Sequence, residues 1–159
     1  CLLNDFAVAA NYLLHEKLAT QILIIDLDVH QGNGTAKLFE GKSSVYTFSM
    51  HGAHNYPFHK ETSDLDIPLL EQNLGRLFQE LRPDFAFYLS GVDILETDKY
   101  GKLKITPEGC RRRDEMVFTK LHQQNIPSTV AMGGGYSPDI RNIVDAHCNT
   151  FRVAKEIYC

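Results

Sequence analysis

Four apolar runs alternate with helical patterns along this chain, and the alternation restricts the possible folds more than any other feature. The apolar runs cover residues 21–27, 44–50, 84–89 and 126–132. Helices are expected at about residues 5–17, 72–81, 107–123 and 139–156. Strands that alternate with helices are typical of a parallel sheet with crossover helices. The sequence therefore predicts an α/β fold, with a mainly parallel sheet between two helical layers (α/β/α).

Length and charge exclude several classes of protein. The chain has 159 residues, 43% hydrophobic and 23% charged, which suits one domain with a real core. Its net charge of −4 does not supply the basic surface that nucleic acids or anionic membranes require. The single basic run, Arg111 to Arg113, precedes Asp114 and Glu115, and we interpret it as a solvated helix face. We expect a cytoplasmic protein, or a nuclear one in a eukaryote, with no direct nucleic-acid or membrane partner.

Polar side chains gather where the predicted strands end, which is where open parallel sheets bind ligands. Asp26, Asp28 and His30 alternate at the end of the first run, so they project to the same side if the strand continues. Two carboxylates and an imidazole crowded there would be poorly solvated unless a cation joined them. Asp93, which follows the third run, adds another oxygen. Three such ligands with an open position make a catalytic zinc site.

The same residues allow other interpretations. The DxDxH pattern of residues 26–30 is equally compatible with a hydrogen-bonded turn in which aspartate caps a helix, and Asp93 alone is more often a cap than a ligand. The run from Gly133 to Gly135 either cradles a phosphate or forms a tight strand-to-helix turn, and it lacks the GxGxxG and GK[ST] patterns of nucleotide sites. Tyr136 by itself would most often be a packed aromatic residue with a hydroxyl that reaches solvent.

Four motifs taken together resemble the zinc-dependent histone deacetylase superfamily, which has the arginase/deacetylase α/β fold. In chain order they are DLDVHQGNGT (26–35), YTFSMHG (46–52), YLSGVDILETDKYGKLKIT (88–106) and MGGGYSPDI (132–140). They cover nearly the whole chain. Asn33, where class I enzymes carry aspartate, and the ending IVDAHCNTFRVAK resemble the class IV branch.

The resemblance implies a catalytic role for four residues. Asp28, His30 and Asp93 match the three zinc ligands of the family. Tyr136 matches the tyrosine whose hydroxyl hydrogen-bonds the scissile carbonyl and the oxyanion that forms from it. The implied activity is zinc-dependent hydrolysis of an acyl-lysine protein or a related small acyl-amide. Two alternatives remain open: a small-molecule amidohydrolase such as an acetylpolyamine deacetylase, and a non-catalytic acyl-lysine-binding module.

The resemblance also implies supporting roles. Asp26 matches a buried aspartate that orients one catalytic histidine, and Asn33 would orient the second. The residues that match the acyl-lysine channel are Tyr56, Gly91 and Gly134. A structural potassium ion would bind to Asp26, Asp28, His30, Ser49 and Met50.

The chain departs from the family pattern in two places. The tandem His-His pair that serves as general base and acid lies, in the family, upstream of the position of Cys1, and the stretch 68–82 is shorter than the usual connection. Of the histidines present, His51, His54 and His59 crowd one loop with the irregular spacing of ordinary loop residues. We therefore interpret residues 1–159 as one unit, the carboxyl-terminal portion of a larger deacetylase domain, and expect the isolated chain to be inactive.

Overall fold

The computed structural model describes residues 3–52, 55–56, 65–66 and 70–159, and these contain five strands and five helices. The strands are β1 (Ile22–Asp26), β2 (Val45–Ser49), β3 (Leu65–Asp66), β4 (Phe85–Gly91) and β5 (Ser128–Gly133). The helices are α1 (Asp5–His15), α2 (Asn33–Phe39), α3 (Leu70–Leu81), α4 (Pro107–Gln123) and α5 (Ile140–Tyr158). The four predicted strands and four predicted helices are confirmed, whereas α2 and β3 are additional.

The strands form one parallel sheet in the order β3-β2-β1-β4-β5. β1 lies at its centre, and all five of its residues are buried. In register, Asp26 at the end of β1 lies between Ser49 of β2 and Leu89 of β4. The carboxyl ends of β1 and β4 are therefore neighbours, and this is the edge at which open parallel sheets bind ligands.

Helices cover both faces of the sheet, which confirms the three-layer α/β/α architecture. On one face, α3, α4 and α5 pack with Leu23 and Ile25 of β1 in a single core cluster. On the other face, α1 and α2 pack against Ile22 and Ile24. Successive side chains of β1 thus enter opposite cores, as the period of two along a strand dictates.

Local signals explain where the helices begin. Thr106 caps α4 by accepting a hydrogen bond from the Gly109 amide at 3.1 Å, and Pro107 takes the first turn, as the sequence indicates. Asp139 caps α5 in the same way through the Arg141 amide. Among the described residues, no helix combines the length and apolar character that crossing a membrane requires.

The interpretation of the basic run as a solvated face is wrong for Arg113. This side chain is only 4% exposed and forms an ion pair with Asp114, whose side chain is also buried. The reason is helical periodicity: Cys110, Arg113 and Val117 recur at the spacing that places them on the inward face of α4. Arg112, by contrast, is exposed.

Candidate metal centre

Asp28, His30 and Asp93 converge at the carboxyl ends of β1 and β4. His30 Nδ1 lies 3.1 Å from Asp28 Oδ1 and 3.1 Å from Asp93 Oδ2. One donor atom from each residue falls within 4.8 Å of the other two. Tetrahedral ligands at zinc distances of about 2.0–2.2 Å lie roughly 3.3 Å apart, so this donor set fits a divalent ion of that size.

A turn rather than a strand presents these ligands. β1 ends at Asp26, so the strand does not continue to Asp28 and His30, and the condition for the three side chains to project to one side is not met. Beyond the strand, the Asp28 amide donates to Asp26 Oδ1 at 3.1 Å, and the His30 amide donates to Asp28 Oδ1 at 2.9 Å. The Val29 amide donates to Asp93 Oδ1 at 3.0 Å and joins the turn to β4. The predicted hydrogen-bonded turn is therefore present at these residues, and metal binding by them stays a prediction.

The electrostatics of the centre favour a bound cation. Burial, with the neighbouring charge of Asp28, raises the pKa of Asp93 to about 7. The same two causes raise the pKa of Asp26 to about 8. Buried carboxylates close together resist ionisation until a positive charge joins them. A divalent ion would supply that charge and restore the ionised form of the ligands.

Tyr136 follows a backbone turn that brings it to the same edge of the sheet. Gly134 and Gly135 have φ angles of 54° and 113°, a left-handed conformation that glycine adopts without strain. A Cβ on Gly134 would overlap the carboxylate of Asp93, so the turn packs directly on a ligand. Partial burial and the charges of Asp93 and Asp28 raise the pKa of Tyr136. Its hydroxyl, on a side chain that is 49% exposed, thus stays protonated and available as a donor.

A short turn that begins at Asp98 holds the backbone of Tyr136. The buried carboxylate of Asp98 accepts hydrogen bonds from the amides of Tyr100 (2.8 Å), Gly101 (2.7 Å) and Tyr136 (2.7 Å). A Cβ on Gly101 would overlap the carbonyl oxygen of Asp93, so this turn touches both a ligand and Tyr136. Asp98 is not among the predicted site residues. Its only local signal is aspartate three residues before glycine, which is typical of a side-chain-stabilised turn.

A cavity of about 700 Å³ opens beside the centre, between the amino-terminal ends of α1 and α2 and the ends of β4 and β5. Asp26 and Asn33 both line this cavity, together with Leu89 and Gly133. A Cβ on Gly133 would lie 3.4 Å from Asp28 Oδ2, so the cavity borders a ligand. The two residues predicted to orient catalytic histidines therefore share one space next to the metal centre.

The predicted channel residues lie in different settings. Gly91 is buried, and a Cβ there would lie 2.7 Å from Asp28 Cα, so it packs behind that ligand. Gly134 packs on Asp93, as described above. Tyr56 is 67% exposed. Their contribution to a channel stays a prediction.

The predicted potassium residues lie together at the ends of β1 and β2. Ser49 pairs with Asp26, and the Met50 amide donates to the Asp26 carbonyl oxygen at 3.0 Å. Ser49 Oγ also lies 3.0 Å from His51 Nδ1. The binding of potassium there stays a prediction. His54 and His59, and part of the stretch 68–82, lie outside the described residues.

Comparison with known proteins yields one family. The sequence model of the histone deacetylase domain matches residues 1–68 and 63–151. An uncharacterised protein of Picosynechococcus is 39% identical over 170 residues, which cover 99% of this chain and 57% of that protein. Histone deacetylase 2 of Arabidopsis thaliana is 29% identical over 159 residues, which cover 91% of this chain and 41% of that protein. The chain thus spans about half the length of these curated relatives.

The fold is shared with a solved structure. A histone deacetylase homologue of Aquifex aeolicus superposes with a TM-score of 0.82 at 23% identity, over 98% of this chain and 47% of the other. At that identity the likeness concerns the fold alone. It agrees with the parallel sheet and the two helical layers described above.

Proposed function

Because this chain belongs to the histone deacetylase domain family, we propose that its protein is a metal-dependent hydrolase that removes an acyl group from acyl-lysine or a related amide. The observation that carries the proposal is the convergence of Asp28, His30 and Asp93, with Asp28 and Asp93 near enough to Tyr136 for their charges to raise its pKa. Two carboxylates and one imidazole at this spacing are the donors of a catalytic zinc site. The class IV assignment is part of the proposal and rests on Asn33 and the sequence of α5.

The three ligands would hold the ion by one atom each. His30 uses Nδ1, the nitrogen that lies 3.1 Å from both carboxylates. Zinc, when bound, polarises a carbonyl group and lowers the pKa of water. Asp28 and Asp93 must ionise to bind it, and their two negative charges would balance its charge.

Tyr136 would act on the substrate. Its hydroxyl donates a hydrogen bond to the carbonyl oxygen of the scissile amide, and this bond strengthens as negative charge develops on that oxygen. The raised pKa keeps the proton on Tyr136 at neutral pH. The Asp98 turn fixes the backbone amide of Tyr136 and so limits where the hydroxyl can lie.

The general base would come from elsewhere in the protein. Among the described residues, His30 is the only histidine in the ligand cluster, and it is committed to the metal. The cavity lined by Asp26 and Asn33 borders Asp28 and has room for further side chains. We propose that histidines placed there remove a proton from the attacking water and protonate the leaving amine, with Asp26 and Asn33 as their orienting partners.

Two further roles complete the proposal. A structural potassium ion would bind where β1 and β2 end, at Asp26, Asp28, His30, Ser49 and Met50. The acyl-lysine channel would be lined by Tyr56, Gly91 and Gly134. Both rest on the family resemblance, and the potassium site also rests on the pairing of Asp26 with Ser49 and Met50.

Metal analysis and turnover of the intact protein test the function. We expect stoichiometric zinc after reconstitution and hydrolysis of an acetyl-lysine peptide. Hydrolysis of an acetylpolyamine with no turnover of the peptide would contradict the acyl-lysine substrate and favour a small-molecule amidohydrolase. Zinc and peptide binding without turnover of either substrate would contradict the enzymatic function and leave a binding module.

A further inference from the structure

A buried guanidinium connects the two strands that carry the metal ligands. Arg113 of α4 donates hydrogen bonds from Nη1 to the carbonyl oxygen of Leu27, at 3.3 Å, and to that of Gly91. Leu27 directly precedes the ligand Asp28, and Gly91 lies two residues before the ligand Asp93. One nitrogen atom therefore joins the backbone at the exit of β1 to the backbone at the exit of β4.

The charge of Arg113 is balanced inside the protein. Arg113 Nε and Nη2 lie 3.0 Å and 2.8 Å from Asp114 Oδ1. Asp114 also accepts hydrogen bonds from the Tyr88 hydroxyl at 2.5 Å and from Thr150 Oγ1 at 2.7 Å. We call Tyr88, Arg113, Asp114 and Thr150 the Arg113 network, which links β4, α4 and α5. All four side chains are buried.

Stability alone is a weak reason for such a network. Removing two charges from water costs free energy that their attraction often fails to recover, and apolar replacements of buried ion pairs are often neutral or stabilising. Apart from Arg113 and Asp114, the buried residues of α4 are Cys110 and the apolar Val117, Phe118 and Leu121. The distinctive property of arginine here is its planar set of donors, which reach Asp114 and two carbonyl oxygens together.

The carbonyl groups that Arg113 holds lie at the ends of the two strands, and their positions determine the distance between Asp28 and Asp93. The Leu27 amide still donates to the Leu89 carbonyl oxygen at 3.1 Å, and the paired strands end just beyond. Gly91 packs directly against Asp28, so any shift of one strand exit moves the other. A buried carbonyl without a donor is also costly, and Arg113 donates a hydrogen bond to both of these groups.

We propose that Arg113 is a positioning residue for the metal centre: by holding the carbonyl oxygens of Leu27 and Gly91 it fixes Asp28 relative to Asp93. The inference rests on the proposed function, because it takes those residues as ligands. Arg113 touches neither metal nor substrate. Its effect therefore falls on metal affinity and coordination geometry.

Zinc affinity tests the positioning role of Arg113. It is measured by chelator competition in the intact protein, well below the melting temperature. The Arg113→Met/Asp114→Asn variant removes the donor to both carbonyls and leaves no unpaired carboxylate. We expect its zinc affinity to fall about tenfold, the lower end of the effect of losing an outer-shell partner. Arg113→Lys, which keeps the charge for Asp114 but reaches fewer acceptors, should show a smaller loss. Arg112→Met, on the exposed side of the same helix, should bind zinc like the wild type.

Two comparisons separate positioning from a purely structural role. Asp114→Asn keeps Arg113 on both carbonyls, so it should lower the melting temperature while retaining zinc affinity. In the cobalt-loaded protein, the visible spectrum should change in the Arg113 variants and not in Asp114→Asn.

Unchanged zinc affinity in Arg113→Met/Asp114→Asn would overturn the inference. So would a loss of affinity that simply follows melting temperature across all variants. If the double variant does not fold, Arg113→Lys decides by the same criteria. A wild-type protein that binds no zinc would remove the proposed function itself, whereas unaltered affinity in the variants of a zinc-binding protein contradicts only the role of Arg113.

Discussion

The two sides of the metal centre differ in how completely this chain builds them. On the Tyr136 side, the carboxylate of Asp98 accepts three backbone hydrogen bonds and the glycine turn packs directly on Asp93. On the Asp26 side, Asp26 and Asn33 line a cavity of about 700 Å³. Burial and the charge of Asp28 raise the pKa of Asp26 to about 8. On the proposed function, these residues would supply metal ligands and a transition-state donor, and would leave space beside Asp26 for the groups that transfer protons.

Removal of a proposed metal ligand should have the largest effect on turnover, because the proposed roles of the Tyr136 side and the Asp26 side both require the metal. In the intact protein, we expect Asp93→Ala to lose stoichiometric zinc and with it measurable turnover of an acetyl-lysine peptide. Losing an outer-shell partner already costs about 10–100-fold in affinity or activity, and a direct ligand counts for more. Zinc content and turnover are the measurements.

The matched control is Glu80→Gln, which removes an exposed carboxylate whose ion pair with Arg76 lies at the surface. Such pairs contribute little to stability, so zinc and turnover should stay at wild-type values. An Asp93→Ala protein that kept stoichiometric zinc and normal turnover would remove Asp93 from the ligand set.

Removal of the Tyr136 hydroxyl tests the proposed catalytic role of the Tyr136 side. Tyr136→Phe should lower kcat by roughly 10²–10³, equivalent to about 2.7–4 kcal/mol, because one donor to the developing oxyanion is gone. KM should change little, since the bond strengthens only in the transition state. Steady-state kinetics of the intact protein distinguish this from a loss expressed mainly in KM, which would make Tyr136 a substrate-binding residue. Tyr12→Phe, on the exposed surface of α1, is the matched control.

The sequence predicts the elements whose signals are local. The run QILIIDL (21–27) is apolar on both faces and becomes the central strand, and Thr106 followed by Pro107 marks the start of α4. The helix α2 is not predicted because it has only seven residues, of which Ala36 and Phe39 are buried, too few to show a periodicity.

The residues that were not predicted depend on distant partners. The Asp98 carboxylate meets an amide 38 residues later in the chain, and Arg113 meets the Leu27 carbonyl, 86 residues earlier. Neither contact leaves a local pattern. The periodicity of α4 does place Arg113 inward, but a run of three arginines followed by two acidic residues resembles a solvated face when it is judged by composition alone.

Substitution of Asp98 tests whether its turn positions the Tyr136 hydroxyl. Asp98→Asn replaces one acceptor oxygen by an amide group, so at least one of the three backbone amides loses its partner. Because misplacing a reacting group by about 1 Å can cost about 10²-fold in rate, kcat should fall about tenfold or more, with KM nearly unchanged. In a Tyr136→Phe background the same substitution should cost little, because the hydroxyl that it positions is absent. An equal fall in both backgrounds would mean that Asp98 acts through Asp93 or the fold.

The smallest effect concerns the pH dependence of stability on the cavity side. In the metal-free 159-residue chain, the pKa values of Asp26 and Asp93 are raised from 3.8 to about 8 and about 7. Between pH 4 and 7 the folded state therefore holds protons that the unfolded state has released, so stability should fall as pH rises through this window. Each 1 kcal/mol lost should lower the melting temperature by about 2–4 °C.

Zinc and the rest of the protein should alter the pH dependence of stability in different ways. Bound zinc keeps Asp93 ionised and removes its part of the pH dependence, whereas the part due to Asp26 remains in the isolated chain. Asp26→Asn should flatten what remains. In the intact protein, histidines in the cavity would pair with Asp26 and lower its pKa, so the Asp26 part should shrink there. Melting curves from pH 5 to 8 with and without zinc measure both effects. The isolated chain and the intact protein could lose the same free energy of unfolding over this pH range, with Asp26→Asn changing both equally. That result would contradict the proposal that the general base lies in the cavity.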